Sequence, residues 1–197
     1  MFVTHINQQV SSDHSIFEKE LLPHINALKT FLLSLKEKPI LVDVGSGDFN
    51  VGMKFPEIVK FYHACDIVSD LQEHNRKKFK FSNVKFHCLN AIDDVLPEGD
   101  VIVIRQVLQH LSNEQILKVI DKCYSFDKWI ITDHLPSNSD FIPNLDISAG
   151  SGIRILFNSG VVLSEPPFSV TGYSSRILCE VSEYGGVIRT TLYERII

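Results

Sequence analysis

Short apolar runs without a polar break do most to restrict how this chain can fold. Ile40-Leu41-Val42, Val101-Ile102-Val103-Ile104 and Trp129-Ile130-Ile131 are three of them. A strand with one wet face alternates apolar and polar residues, whereas an unbroken run fits a strand covered on both faces. The expected strands are Ile40–Val44, Phe61–Ile67, Val84–Leu89, Val101–Arg105 and Trp129–Thr132, with a helix over Asn113–Cys123. Strands that alternate with helical stretches give an α/β domain with a mostly parallel sheet and helices on both faces.

The two ends of the chain read differently. From Ser15 to Leu35 apolar residues recur near a period of 3.6, with Pro23 placed to kink or divide the helix. Ile177–Val181 and Val187–Tyr193 alternate around Glu183-Tyr184-Gly185-Gly186, a hairpin signal. The chain of 197 residues therefore reads as one domain, 1–197, with an N-terminal arm and helix over 1–38. Its seven strands end in an antiparallel hairpin. Residues 133–170 are rich in Pro, Ser, Asn and Gly, and are expected to form a substrate-side insertion.

A net charge of −5 gives no electrostatic reason for nucleic acid or an anionic membrane as partner. No apolar run is long enough to cross a bilayer, and the N-terminus lacks the basic-then-apolar order of a signal peptide. The four cysteines form no CxxC pair and read as reduced core residues of a cytoplasmic protein.

Asp43-Val44-Gly45-Ser46-Gly47 joins an acidic strand end to a turn with two glycines. Glycine lets the main chain approach a ligand closely, and ligands of open α/β sheets sit outside the carboxyl ends of the strands. Asp66 ends the second strand 19 residues after Gly47, a spacing that suits an acid holding ribose hydroxyls. Both features would also suit a nicotinamide dinucleotide. The GxGxxG spacing needed for that cofactor fails, because Asn50 takes the last glycine's place and Asp48 puts negative charge where a pyrophosphate would lie.

The order of these motifs, from about residue 15 to the terminal hairpin, resembles the class I S-adenosylmethionine-dependent methyltransferases. The resemblance implies a Rossmann-like methyltransferase fold that binds S-adenosylmethionine and releases S-adenosylhomocysteine. It places Asp43, Gly45, Gly47, Asp48, Asn50, Asp66, Ile67, Asn90, Ala91, Arg105 and Gln106 around the cofactor. Two positions depart from the family pattern: Phe49 stands for the third glycine, and Asn90 for an acid that meets the adenine amino group. An Asn carbonyl can still accept that bond.

Val107-Leu108-Gln109-His110-Leu111 is similar to the turn that follows the family's fourth strand. His110 there, and His134 after the fifth strand, are candidate bases for a substrate hydroxyl. Asn144, Asp146 and Arg154 are candidate substrate contacts, with Arg154 suited to a carboxylate or phosphate. The fourth strand ends in Arg105-Gln106 without a carboxylate, so no catalytic metal is expected. The expected function is metal-independent O-methylation of a small molecule. A cofactor-binding module without catalysis, or a nicotinamide-dependent enzyme, stays open as an alternative.

Overall fold

The computed structural model describes residues 21–196. Seven strands form one sheet: β1 (Ile40–Val44), β2 (Phe61–Asp66), β3 (Val84–Cys88), β4 (Val101–Arg105), β5 (Lys128–Pro136), and β8 (Tyr173–Glu183) and β9 (Gly186–Arg195). Their order is β3-β2-β1-β4-β5-β9-β8. β1 to β5 pair in parallel, while β9 runs antiparallel to both β5 and β8. This is the α/β sheet expected from the unbroken apolar runs, and Tyr184-Gly185 turns the terminal hairpin. A second, two-stranded sheet joins β6 (Ile142–Pro143) to β7 (Ser159–Gly160).

Alternate residues of each central strand feed opposite cores. Val42, Val44, Ile102, Ile104, Trp129 and Ile131 pack with helix α3 (Asn113–Cys123) and with Val161, Leu163 and Phe168. Leu41, Val101, Val103 and Ile130 pack on the other face with helix α1 (Leu22–Ser34), through Ile25, Leu28, Phe31 and Leu32. α3 begins at a reciprocal cap: Ser112 Oγ accepts from the Gln115 N–H, and Gln115 Oε1 accepts from the Ser112 N–H. Helix α2 (Ser69–Lys78) follows β2.

Two expectations are revised, and the one for Pro23 rests partly on residues outside those described. Pro23 sits in the first turn of α1, where its missing N–H breaks no helical bond. A kink earlier in the Ser15–Leu35 stretch would fall outside the described residues. β5 runs to Pro136 rather than stopping at Thr132, because β9 pairs with it along its whole length, up to Pro136 opposite Gly186. Asp133 and His134 therefore lie within a strand. Finally, Cys65 and Cys123 are buried, but Cys88 is exposed; all four cysteines are free.

Candidate functional site

The carboxyl ends of β1, β2 and β4 lie side by side, with Val44 in register with Cys65 and Ile104. The glycine turn leaves this edge. Gly45 has φ +80° and Gly47 φ +54°, a left-handed region that glycine enters without steric cost. A Cβ at Gly45 would stand 2.4 Å from Val107 Cγ2, so no side chain fits there. The Gly45 and Ser46 N–H groups both donate to the Cys65 carbonyl, at 2.8 and 3.0 Å.

Phe49 also has a positive φ, +61°. The backbone thus keeps a glycine-like turn while carrying a large side chain. The left-handed conformation costs about 1–2 kcal/mol. Full burial of a Phe side chain returns roughly 1.5–3 kcal/mol. Its ring is completely buried and meets Tyr62, Phe79 and Phe86 edge-on, with centroids 5.3, 5.1 and 4.9 Å away. No α-helix follows the turn. Gly52–Lys54 and Pro56–Ile58 form two short 3-10 segments, where Gly52 and Pro56 both disfavour a longer helix. A dinucleotide pyrophosphate would therefore lack its usual helix N-terminus at this turn.

Side chains from neighbouring elements fasten the turn. Asp66 Oδ2 accepts from the Gly47 N–H at 3.0 Å, and its Oδ1 accepts from the Val68 N–H at 3.0 Å. From α2, Gln72 Nε2 donates to Ser46 Oγ at 3.1 Å and Asn75 Nδ2 to the Gly47 carbonyl at 2.8 Å. Asp48 and Asn50 bond to each other, the carboxylate accepting from both the Asn50 N–H and Nδ2. Tyr62, Gln72 and Asn75 were not singled out in the sequence. Gln72 and Asn75 did carry a signal, being uncharged polar residues three apart, on one face of a helix that also carries Asp70, Glu73, Arg76, Lys77 and Lys78.

Asp43 is buried beneath the turn and accepts from the Tyr62 hydroxyl at 2.7 Å. Burial pushes its carboxyl up to about 6, while the Tyr62 bond and the Arg105 charge hold it back. Behind it, buried His24 faces Thr190 Oγ1 at 3.1 Å, which faces Thr132 Oγ1 at 3.0 Å. Burial and Arg105 bring His24 down to about 3. Gln106, at φ +52°, donates its N–H to the Thr132 carbonyl at 2.7 Å.

Beyond β3, Asn90 folds onto its own turn. Its Oδ1 accepts from the Ile92 N–H and its Nδ2 donates to Asp93. The Ala91 carbonyl accepts from Lys122 Nζ at 2.8 Å. Ile67, next to Asp66, is half exposed.

Gln109 stands between the two candidate bases. Its Oε1 accepts from the His134 N–H at 3.2 Å, and its Nε2 lies 3.4 Å from His110 Nε2. His110 is buried, its carbonyl accepting from the Gly150 N–H at 3.0 Å. Burial lowers the His110 imidazole, against the pull of backbone bonds to Gly152 and Gly150. Burial lowers His134 as well. Its Nε2 is enclosed with no hydrogen-bond partner among the described residues.

The three candidate substrate contacts are hydrogen-bonded within the inserted segment and to the start of α3. Asn144 Nδ2 donates to the carbonyls of Val162, Glu165 and Pro166, and its Oδ1 accepts from the Val162 N–H. Asp146 Oδ1 accepts from the N–H groups of Asn113 and Ile147. Arg154 is completely buried; its guanidinium donates to the carbonyls of Leu145 and Leu108 and to Asn113 Oδ1. Beyond the short 3-10 helix Arg154–Phe157 and the β6–β7 pair, this long segment needs partners for its backbone, and these side chains supply them. Among the described residues no group of three or more His, Cys, Asp or Glu could hold a metal ion. No described helix is long and apolar enough to cross a membrane.

The sequence model for O-methyltransferase domains matches residues 2–128. No curated protein sequence matches this one. Among solved structures, the magnesium protoporphyrin IX methyltransferase of Synechocystis PCC 6803, crystallised with S-adenosylmethionine, is 13% identical with a TM-score of 0.62. That match covers 93% of this chain and 85% of the other. The methyltransferase domain of bacterial CtHen1 is 12% identical with a TM-score of 0.65, covering 88% and 98%. Human N-acetylserotonin methyltransferase, also crystallised with S-adenosylmethionine, is 13% identical with a TM-score of 0.57, covering 93% of this chain and 58% of that one.

Proposed function

Because this chain belongs to the O-methyltransferase domain family, we propose that it transfers the methyl group of S-adenosylmethionine to a hydroxyl of a small molecule. The observation that carries the reading is the joint placement of Asp43, Asp66 and the left-handed glycine turn at the carboxyl ends of adjacent strands. These residues fit the cofactor. Asp66 is anchored by two backbone N–H groups and keeps lone pairs for a ribose diol. Gly45 and Gly47 give the turn the left-handed backbone on which the cofactor would lie. Asp43, Asp48, Asn50, Arg105 and Gln106 would hold the aminoacyl end. Ile67 and the Ala91 N–H would meet the adenine, with Asn90 beside them.

The cofactor, when bound, supplies the electrophilic methyl carbon. The protein's part is to align the acceptor, exclude water and take up a proton. His110 and His134 both have lowered pKa values, so each is neutral near pH 7 and able to accept the hydroxyl proton. We place the reaction in the cytoplasm, without nucleic acid, membrane or metal.

One observation favours a cofactor-binding module without catalysis: His110 is bonded into the inserted segment, and the Asn90 carbonyl already caps its own turn. Titration with S-adenosylhomocysteine, followed by a methyl-transfer assay on a panel of phenols and alcohols, separates the two readings. The methyltransferase reading expects both binding and turnover. Replacing His110 with Ala should then lower kcat by about a hundredfold or more with cofactor affinity unchanged. Binding without turnover on any acceptor would favour the module, and no binding would sink both.

A further inference from the structure

β5 turns Ile131, Asp133 and Leu135 toward the inserted segment, opposite Thr191, Arg189 and Val187 of β9. Val161 and Leu163 come down over this row. With Tyr193 they enclose a cavity of about 20 Å³. A single water-sized group needs roughly 10–15 Å³. Ile131, Asp133, Leu135, Val161 and Leu163 are buried and make the inner wall; Arg189, Thr191 and Tyr193 are half-buried and form the rim.

Asp133 is the one acid in this wall, only 4% exposed. Neither of its carboxyl oxygens has a hydrogen-bond partner of good geometry among the described residues, and only a looser contact from the Gln109 backbone reaches them. Both nearby cations are engaged elsewhere. Arg189, directly across the strand pair, donates to Glu180 at 2.6 Å. Arg154 directs its guanidinium to Leu145, Leu108 and Asn113. Burial pushes the Asp133 carboxyl up to about 8, against the pull of the Gln109 backbone and the Arg154 charge, which favours the neutral acid with one O–H to donate and one C=O to accept.

A ligand group for this wall must be small, must both accept and donate, and must continue into carbon. A carboxylate offers no donor. An ammonium offers no acceptor and would enter the field of Arg154 and Arg189. A hydroxyl meets all three conditions.

We propose that this cavity is a binding subsite for a hydroxyl group at the end of an apolar chain or ring, with the Asp133 carboxyl as its two-point partner. The carbon next to the hydroxyl lies against Ile131, Leu135, Val161 and Leu163. The subsite does not depend on methyl transfer, because the free protein should already show it.

Methyl-labelled full-length protein at pH 7, titrated with propan-1-ol, tests this. Saturable shifts are expected at Ile131, Leu135, Val161 and Leu163, and propylammonium at equal concentration should leave them unmoved. Asp133→Asn keeps one donor and one acceptor and should bind within about threefold of the parent. Asp133→Leu should weaken binding tenfold or more. No saturable shift in either the parent or Asp133→Asn overturns the proposal even if Asp133→Leu fails to fold. Equal response to propylammonium, or undiminished binding by Asp133→Leu, overturns it as well.

Discussion

The glycine turn and the segment over residues 137–172 are both irregular backbone beside the same sheet, yet they are held in opposite ways. The turn is fastened from outside, by Asp66, Gln72, Asn75 and the Cys65 carbonyl. The inserted segment is fastened mostly by its own side chains, Asn144, Asp146 and Arg154, and by the start of α3. A short turn between two strand ends borrows its partners from neighbours. That fixes the shape of the turn without using its own side chains Asp48 and Asn50 on other elements. A long loop must first supply its own partners, so its polar residues are consumed before any ligand arrives. The acid left over on that side is Asp133, which belongs to the sheet.

The largest effect that could sharpen this contrast is a pH dependence. Asp133 in the folded chain titrates near 8 instead of its ordinary 3.8. Its contribution to stability is full below about pH 4, falls as pH rises toward 8, and is flat above. The slope is at most about 1.4 kcal/mol per pH unit. Asp133→Asn should flatten that fall in urea melts between pH 5 and 8. An unchanged slope would mean that Asp133 is better solvated than the structure indicates. Next in size, Arg154→Met strips the donor from the part-buried Leu145 carbonyl and Asn113 Oδ1, and one of two donors from the buried Leu108 carbonyl, and should cost about 3–4 kcal/mol. Affinity for S-adenosylhomocysteine should hold, since the turn is fastened independently; a parallel loss of affinity would break the comparison.

Phe49→Ala should cost about 3 kcal/mol, the usual loss for a buried Phe. It should also weaken cofactor binding, because the ring anchors the turn. The smallest effect is at Tyr62→Phe, about 1 kcal/mol. Without the Tyr62 hydroxyl the Asp43 carboxyl rises further, so the pH profile of cofactor binding should shift upward. An unshifted profile would show that Asp43 does not govern binding.

Much of this was legible before any coordinates. β1 and β4 keep the bounds expected for them, since their apolar runs stop sharply at polar residues. α3 does too, because Ser112 and Gln115 mark its start. The extension of β5 was hidden by Thr132-Asp133-His134, whose polarity reads as loop until β9 is known to pair with it. The positions of Asp43 and Asp66 at strand ends followed from the same runs. The work of Asn144, Asp146 and Arg154 did not, because their partners, the Ile147 N–H apart, are 9 to 46 residues distant along the chain and are mostly backbone groups that carry no side-chain signal.

The packing of Phe49 carries a historical constraint. A Cβ at Gly52 would fall 2.4 and 2.5 Å from the Phe49 ring and 2.9 Å from the Tyr62 hydroxyl. While Phe49 is present, any larger residue at position 52 collides with it. Replacing Phe49 by glycine, the residue usual in the family, would empty the aromatic cluster unless position 52 or 62 also grew. The two positions can thus change only in a fixed order, or together. A side chain larger than hydrogen at position 52 therefore requires loss of the Phe49 ring first or in the same step.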